Sequence, residues 1–139
     1  MSKADYVYTT YIQSTPQKVW DAITSKEFTK QYWGYALVSD WKKDSKWEMQ
    51  RADGGANVVG KVIETSPPKK LVYSWAEPEH PDDVSQVAFE IEPMGDLVKL
   101  SVVHSKLSEY MAGRISNGWP LVLSSLKSFL EAGKPIDIL

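Results

Sequence analysis

The stretch Asn117-Gly118-Trp119-Pro120-Leu121-Val122-Leu123-Ser124-Ser125-Leu126-Lys127-Ser128-Phe129-Leu130-Glu131-Ala132-Gly133 decides the fold. Trp119, Val122, Leu123, Leu126 and Leu130 fall at i, i+3, i+4, i+7 and i+11, one continuous apolar stripe along a helix. Pro120 fits the first turn, where its missing N–H costs nothing. Gly133 supplies the left-handed residue that closes the helix, and Pro135 keeps it from resuming. A long helix that follows a run of strands must lay its stripe on the open face of a sheet. That arrangement often encloses a cavity, and the cavity is the first place to look for function.

The rest of the chain supplies those strands. Tyr6 to Ile12 is rich in Tyr, Val, Thr and Ile, as strands are. Thr15-Pro16 gives a helix cap followed by proline at the first helical position, and Val19, Trp20 and Ile23 form that short helix's buried stripe. A second short helix spans Glu27 to Tyr32. Ala36 to Trp41 and Lys46 to Arg51 read as strands about the turn Lys42-Lys43-Asp44-Ser45, and Asp53-Gly54-Gly55 is a strong turn. Val58 to Thr65 is a strand that Ser66-Pro67-Pro68 ends. In Leu71 to Trp75, Leu71, Tyr73 and Trp75 share one face. Val87, Phe89 and Ile91 alternate in the next strand, and Leu100, Val102 and His104 share a face in Leu97 to Ser105. Glu77 to Asp83 reads as an acidic loop and Glu109 to Gly118 as a connector. The order is β-α-α-β6-α, and consecutive strands with short links form a curved antiparallel sheet.

Composition narrows the function. The 139 residues carry a net charge of -2 and no cysteine. Disulfides, thiolate metal sites and cysteine nucleophiles are excluded, and no basic field exists to hold nucleic acid or an anionic membrane. The opening Met1-Ser2-Lys3-Ala4-Asp5 shows no apolar signal region and no segment has the length of a membrane span, so a cytoplasmic location is expected. Six Trp and seven Tyr stand beside three Phe. Amphipathic aromatics in that excess suit a pocket wall, or alternatively a tryptophan-rich core.

Few motifs carry chemistry. His80, in Glu79-His80-Pro81-Asp82-Asp83, reads as a solvated surface residue. His104 points inward with Leu100 and Val102; as a general base it needs a second polar group within reach, and the sequence names none. Two distant histidines make no zinc site, no glycine-rich phosphate loop follows a strand, and Ser124 and Ser125 lack the setting of a nucleophile elbow. Arg51 shares strand parity with Trp47 and Met49 and either faces a pocket mouth or leaves the sheet at its edge. No metal and no cofactor is expected.

Three stretches together carry a family likeness: Ser14-Thr15-Pro16-Gln17-Lys18-Val19-Trp20-Asp21-Ala22-Ile23-Thr24, Pro67-Pro68-Lys69-Lys70-Leu71-Val72-Tyr73-Ser74-Trp75, and Asn117-Gly118-Trp119-Pro120 through Leu126-Lys127. In this order and spacing the chain resembles the START-like (SRPBCC) superfamily, and within it the homologues of the activator of heat-shock-protein-90 ATPase, in their small stand-alone bacterial form. The resemblance implies an α+β helix-grip domain over residues 1–139: a curved antiparallel sheet wrapped round the C-terminal helix, with a cavity between them. Relatives on this fold bind lipids, polyketides, flavonoid-like compounds or plant hormones, and some are cyclases or hydrolases. Eukaryotic co-chaperones of the family carry a further N-terminal domain that makes much of the chaperone contact. This sequence opens directly on the helix-grip region, so a chaperone is the less expected partner.

The expected ligand is a small apolar or aromatic molecule. Trp33, Trp47, Met49, Tyr73, Trp75, Phe89, His104, Trp119 and Leu123 are the candidate binding residues, with His104 and Tyr73 as polar anchors and the Trp119 N–H bonding outward. A filled core, a protein-interaction module and an enzyme using His104 in the same cavity are the alternatives.

Overall fold

The computed structural model describes residues 4–138. The strands are β1 (Ala4–Ile12), β2 (Ala36–Ser39), β3 (Lys46–Gln50), β4 (Ala56–Ser66), β5 (Lys70–Trp75), β6 (Ser85–Met94) and β7 (Leu97–Leu107). The helices are α1 (Pro16–Thr24), α2 (Lys26–Tyr32), α3 (Glu109–Ile115) and α4 (Gly118–Ala132). All strand pairs are antiparallel, in the order β1-β7-β6-β5-β4-β3-β2. Register shifts between Met49 and Gln50 and between Val62 and Glu64 mark bulges, the ordinary device for curving a sheet.

Local chemistry sets the helices as expected. The Thr15 hydroxyl accepts from the Lys18 N–H at 3.2 Å, capping α1 with Pro16 inside its first turn. Gly133 closes α4 at φ 75°, a conformation that favours glycine, and its N–H returns to the Phe129 carbonyl. Trp119, Val122, Leu123 and Leu126 of the stripe are buried, while Leu130 is half-buried.

The inner face of the sheet is set by two-residue alternation. Val98, Leu100, Val102 and His104 of β7 are buried, as are Val87, Phe89 and Ile91 of β6 and Trp47 and Met49 of β3. Helix α4 lies across this face: the Trp119 ring meets Trp75 of β5 at 5.7 Å and Phe89 of β6 at 5.8 Å. Farther along α4, Lys127 donates to the Tyr11 carbonyl and Glu131 accepts from the Gln13 N–H, tying the helix to β1 and the turn after it.

Two expectations are corrected. The segment expected as a connector holds helix α3. The Ser108 hydroxyl caps it by accepting from the Met111 N–H, Glu109 and Arg114 sit at its favourable ends, and Met111 and Ile115, four apart, are both buried. The strand expected over Ala36–Trp41 stops at Ser39. Trp41 takes φ 57°, which breaks the ladder, and its indole N–H donates to the Thr24 carbonyl at 2.7 Å.

Candidate functional site

A cavity of about 630 Å³ opens where the first turn of α4, helix α3 and the inner face of the sheet meet. Its apolar walls are Trp33, Met49, Val58, Trp75, Met111, Ile115, Trp119 and Val122; Asn57, Glu77, Glu79, His80, Tyr110 and Arg114 bring polar groups to it. Glu79, His80, Tyr110 and Arg114 are exposed, so they mark the mouth. Four expected binding residues, Trp33, Met49, Trp75 and Trp119, border the cavity; Trp47, Tyr73, Phe89, His104 and Leu123 are buried and do not border it.

The inner wall is an aromatic cluster. Trp33 packs edge-on against Trp119 at 5.5 Å, and Trp119 contacts Trp75 at 5.7 Å. Such pairs contribute about 0.5–1.5 kcal/mol each beyond area burial. Behind Trp75, Trp47 donates its indole N–H to the Ser74 carbonyl at 2.7 Å. Gly60 makes room for that bond: a Cβ there would lie 2.5 Å from Trp47 Nε1 and 2.0 Å from the Ser74 oxygen.

His104 sits behind the wall, fully buried, in a relay that fixes its tautomer. Trp119 Nε1–H lies 3.1 Å from His104 Nδ1. An indole nitrogen only donates, so Nδ1 is the bare nitrogen and Nε2 carries the proton. Nε2–H then donates to Ser85 Oγ at 2.7 Å, and the Ser85 hydroxyl donates to the Trp75 carbonyl at 3.3 Å. Every position in the relay is used once. Burial pushes the His104 pKa down to about 4, keeping the imidazole neutral. With both ring nitrogens engaged, His104 has no lone pair free for a molecule in the cavity. The expectation that the Trp119 N–H bonds outward is corrected: it bonds inward, because His104 presents the buried acceptor.

Tyr73, the other expected anchor, is sealed in the core with its hydroxyl unpartnered among the described residues. Its ring fills space between Trp47 at 4.3 Å and Phe89 at 5.9 Å, and burial raises its pKa well above the ordinary phenol value.

The polar mouth is not legible in the sequence as a site. Glu77, at the end of the β5 region, is buried, and α3 supplies both of its partners. Tyr110 Oη donates to Glu77 Oε1 at 2.8 Å; Arg114 reaches Oε2 through Nε at 3.0 Å and through its terminal nitrogen at 2.8 Å. The Glu77 hydrogen bond raises the pKa of Tyr110 and of Arg114. Arg114 also lies 5.8 Å from the Tyr110 ring centre, and His80 meets the same ring edge-on at 5.2 Å. The loop is fastened again where Ser108 donates to Asp83 at 2.7 Å. Arg51 leaves the sheet edge for Asp53 and Asn57 and does not border the cavity.

Among the described residues, no cluster of three or more His, Cys, Asp or Glu could hold a metal ion, and no helix is long and apolar enough to cross a membrane. The family model for Activator of Hsp90 ATPase homolog 1-like protein matches residues 13–131. The chain belongs to this family. Solved structures with the same fold include CalU16 from Micromonospora echinospora, 23% identical with TM-score 0.79 over 92% of this chain and 76% of that one. The Aha1 dimer from Colwellia psychrerythraea is 24% identical with TM-score 0.78, covering 94% and 98% of the two chains. PFC0360w, an HSP90 activator from Plasmodium falciparum, is 22% identical with TM-score 0.76, covering 91% and 95%. At these identities the likeness carries the helix-grip fold alone. No protein of curated function matches the sequence.

Proposed function

We propose that this protein binds a small, mostly apolar aromatic molecule in the cavity between α3, α4 and the sheet. One observation carries the reading: a cavity of about 630 Å³ bordered by Trp33, Trp75 and Trp119. Its volume lies within the ordinary range for small-molecule sites, and it pairs apolar walls with a few polar groups, as such sites do. Trp33, Met49, Trp75 and Trp119 form the binding surface in this reading; Trp47, Tyr73, Phe89, His104 and Leu123 support it from behind.

Gly118 offers the test. It borders the cavity, and a Cβ there meets nothing within 4 Å. Gly118→Leu grows a side chain at the cavity wall without displacing backbone. A panel of flavonoids, polyketide-like quinones and lipids, titrated by tryptophan emission, should contain compounds that bind the parent and bind Gly118→Leu at least about tenfold more weakly, the cost of about 1.4 kcal/mol of obstruction. Equal binding to both proteins would place the ligand elsewhere.

A protein-interaction role is the second reading. The family is described by its likeness to a chaperone-ATPase activator, and the Plasmodium relative is itself an HSP90 activator. In this chain the role is favoured by exposed apolar residues around the outer face and edge of the sheet, Val7, Tyr11, Met94 and Leu97.

A further inference from the structure

The polar groups around the cavity differ in kind between wall and mouth, and that difference restricts the ligand. Resting on the binding reading above, we propose that the cavity takes an aromatic ligand that carries a carbonyl or ether oxygen and no negative charge. Aromatic acids are disfavoured.

The wall offers donors. Trp41, Trp47 and Trp119 each give their indole N–H to a protein acceptor. Trp33 and Trp75, which border the cavity, give theirs to none among the described residues, although each is only 7% exposed. Among the described residues, the sealed, unpartnered polar side-chain atoms are Thr65 Oγ1 and Tyr73 Oη alone, so both N–H groups reach open space. The space Trp75 borders is this cavity, whereas Trp33 also borders a second one, of about 320 Å³, beside residues 135–138. Asn57 adds a second donor. Its side-chain oxygen accepts from Arg51 at 2.7 Å, which leaves its NH₂ as the uncommitted end at the cavity wall. A ligand oxygen matches both, and a purely hydrocarbon ligand leaves them unpaired.

The mouth offers negative charge. Its ionisable side chains are Glu77, Glu79, His80, Tyr110 and Arg114. Glu77 and Arg114 cancel through their ion pair, and the remaining carboxylate, Glu79, makes no hydrogen bond or ion pair among the described residues. A carboxylate ligand would lose hydration against apolar walls and meet this residual charge. A ketone satisfies the same donors without either cost.

Naphthalene, 2-acetylnaphthalene and ionised 2-naphthoate separate these terms on one ring system. Titrations at neutral pH, followed by the tryptophan indole resonances in ¹H–¹⁵N spectra, should give the ketone an advantage of about two- to tenfold over naphthalene, the value of one net hydrogen bond. The Trp75 indole proton should move downfield with the ketone and not with naphthalene. Naphthoate should bind more weakly than the ketone, and Glu79→Gln should narrow that gap by up to about fivefold, the range of an exposed charge pair. Trp75→Phe should shrink the ketone's advantage while naphthalene still binds; if that variant does not fold, the Trp75 shift in the parent decides. Naphthoate binding as tightly as the ketone, or an unmoved Trp75 indole, would overturn the inference and leave the binding reading standing. Failure of all three compounds to bind would remove the binding reading and this inference with it.

Discussion

Helix α4 covers the sheet differently at its two ends. Toward its C-terminus Leu126 is fully buried, and Leu71, Leu100 and Ile12 of the sheet are sealed as completely. Phe129 closes that end, lying 6.0 Å from the Tyr32 ring and 5.7 Å from Phe28 of α2. At its N-terminus, Trp119 and Val122 border open space, and the short helix α3 with its Glu77 bridge stands where a further packing layer would. Both ends present buried apolar residues on inward strand positions, Leu71 and Leu100 at one and Trp75 and Phe89 at the other. What differs is the cover: a long helix with two helices beside it at one end, seven residues of α3 at the other. The cavity of about 630 Å³ lies where a polar clasp replaces the continuous cover; a smaller one, of about 320 Å³, lies between α2 and residues 135–138 and is lined by no strand residue.

The largest expected effect lies at the filled end. Leu126→Ala should lower unfolding free energy in denaturant by about 2–5 kcal/mol, since buried contacts are lost and a void is left. Val122→Ala should cost about 1 kcal/mol, because that side chain already borders open space. Equal losses would erase the distinction between the two ends.

The next effect tests the relay behind the cavity wall. The His104 pKa falls from 6.5 to about 4 on folding. The unfolded chain therefore takes up a proton as pH drops through 6.5, while the folded chain does not until about pH 4. The stabilising difference is fully present above pH 6.5 and is lost progressively toward pH 4, by about 3 kcal/mol. Unfolding titrations across that window should show the loss in the parent and a flatter profile in His104→Gln. The same slope in both would mean that His104 is not held neutral.

A smaller effect is expected from Trp119→Phe. The ring is kept, but the donor to His104 Nδ1 is removed, leaving a buried imidazole nitrogen unpaired at a cost of about 1–3 kcal/mol. If the indole N–H faced solvent instead, the variant would be close to neutral in stability.

Much of the fold is legible in the sequence because it rests on periods and punctuation. The α4 stripe, the Thr15 cap, the Gly133 stop and the alternation in β5, β6 and β7 are all local. The two ends of the inner face are not distinguishable this way. Tyr73 and Trp75 have the same strand parity, yet Tyr73 is sealed between Trp47 and Phe89 while Trp75 borders the cavity. Parity says which side of the sheet a residue faces, and only the covering layer decides whether that side is filled. Helix α3 is hard to read because it is seven residues long and contains Gly113. Glu77 sits in what looks like an acidic loop, and its burial depends on Tyr110 and Arg114, 33 and 37 residues away. The partners of His104 follow the same rule: Ser85 and Trp119 meet it only through strand register and the path of α4.

The most direct test of the cavity as a binding site is a resonance map of both ends of α4 during a single ligand titration. With 2-acetylnaphthalene or a flavonoid, the signals of Met49, Val58, Met111 and Val122 and the Trp33, Trp75 and Trp119 indoles should shift saturably. Those of Leu71, Leu100 and Leu126 should stay in place. Shifts at the filled end alone, or none at either end up to millimolar ligand, would contradict a binding site under the first turn of α4.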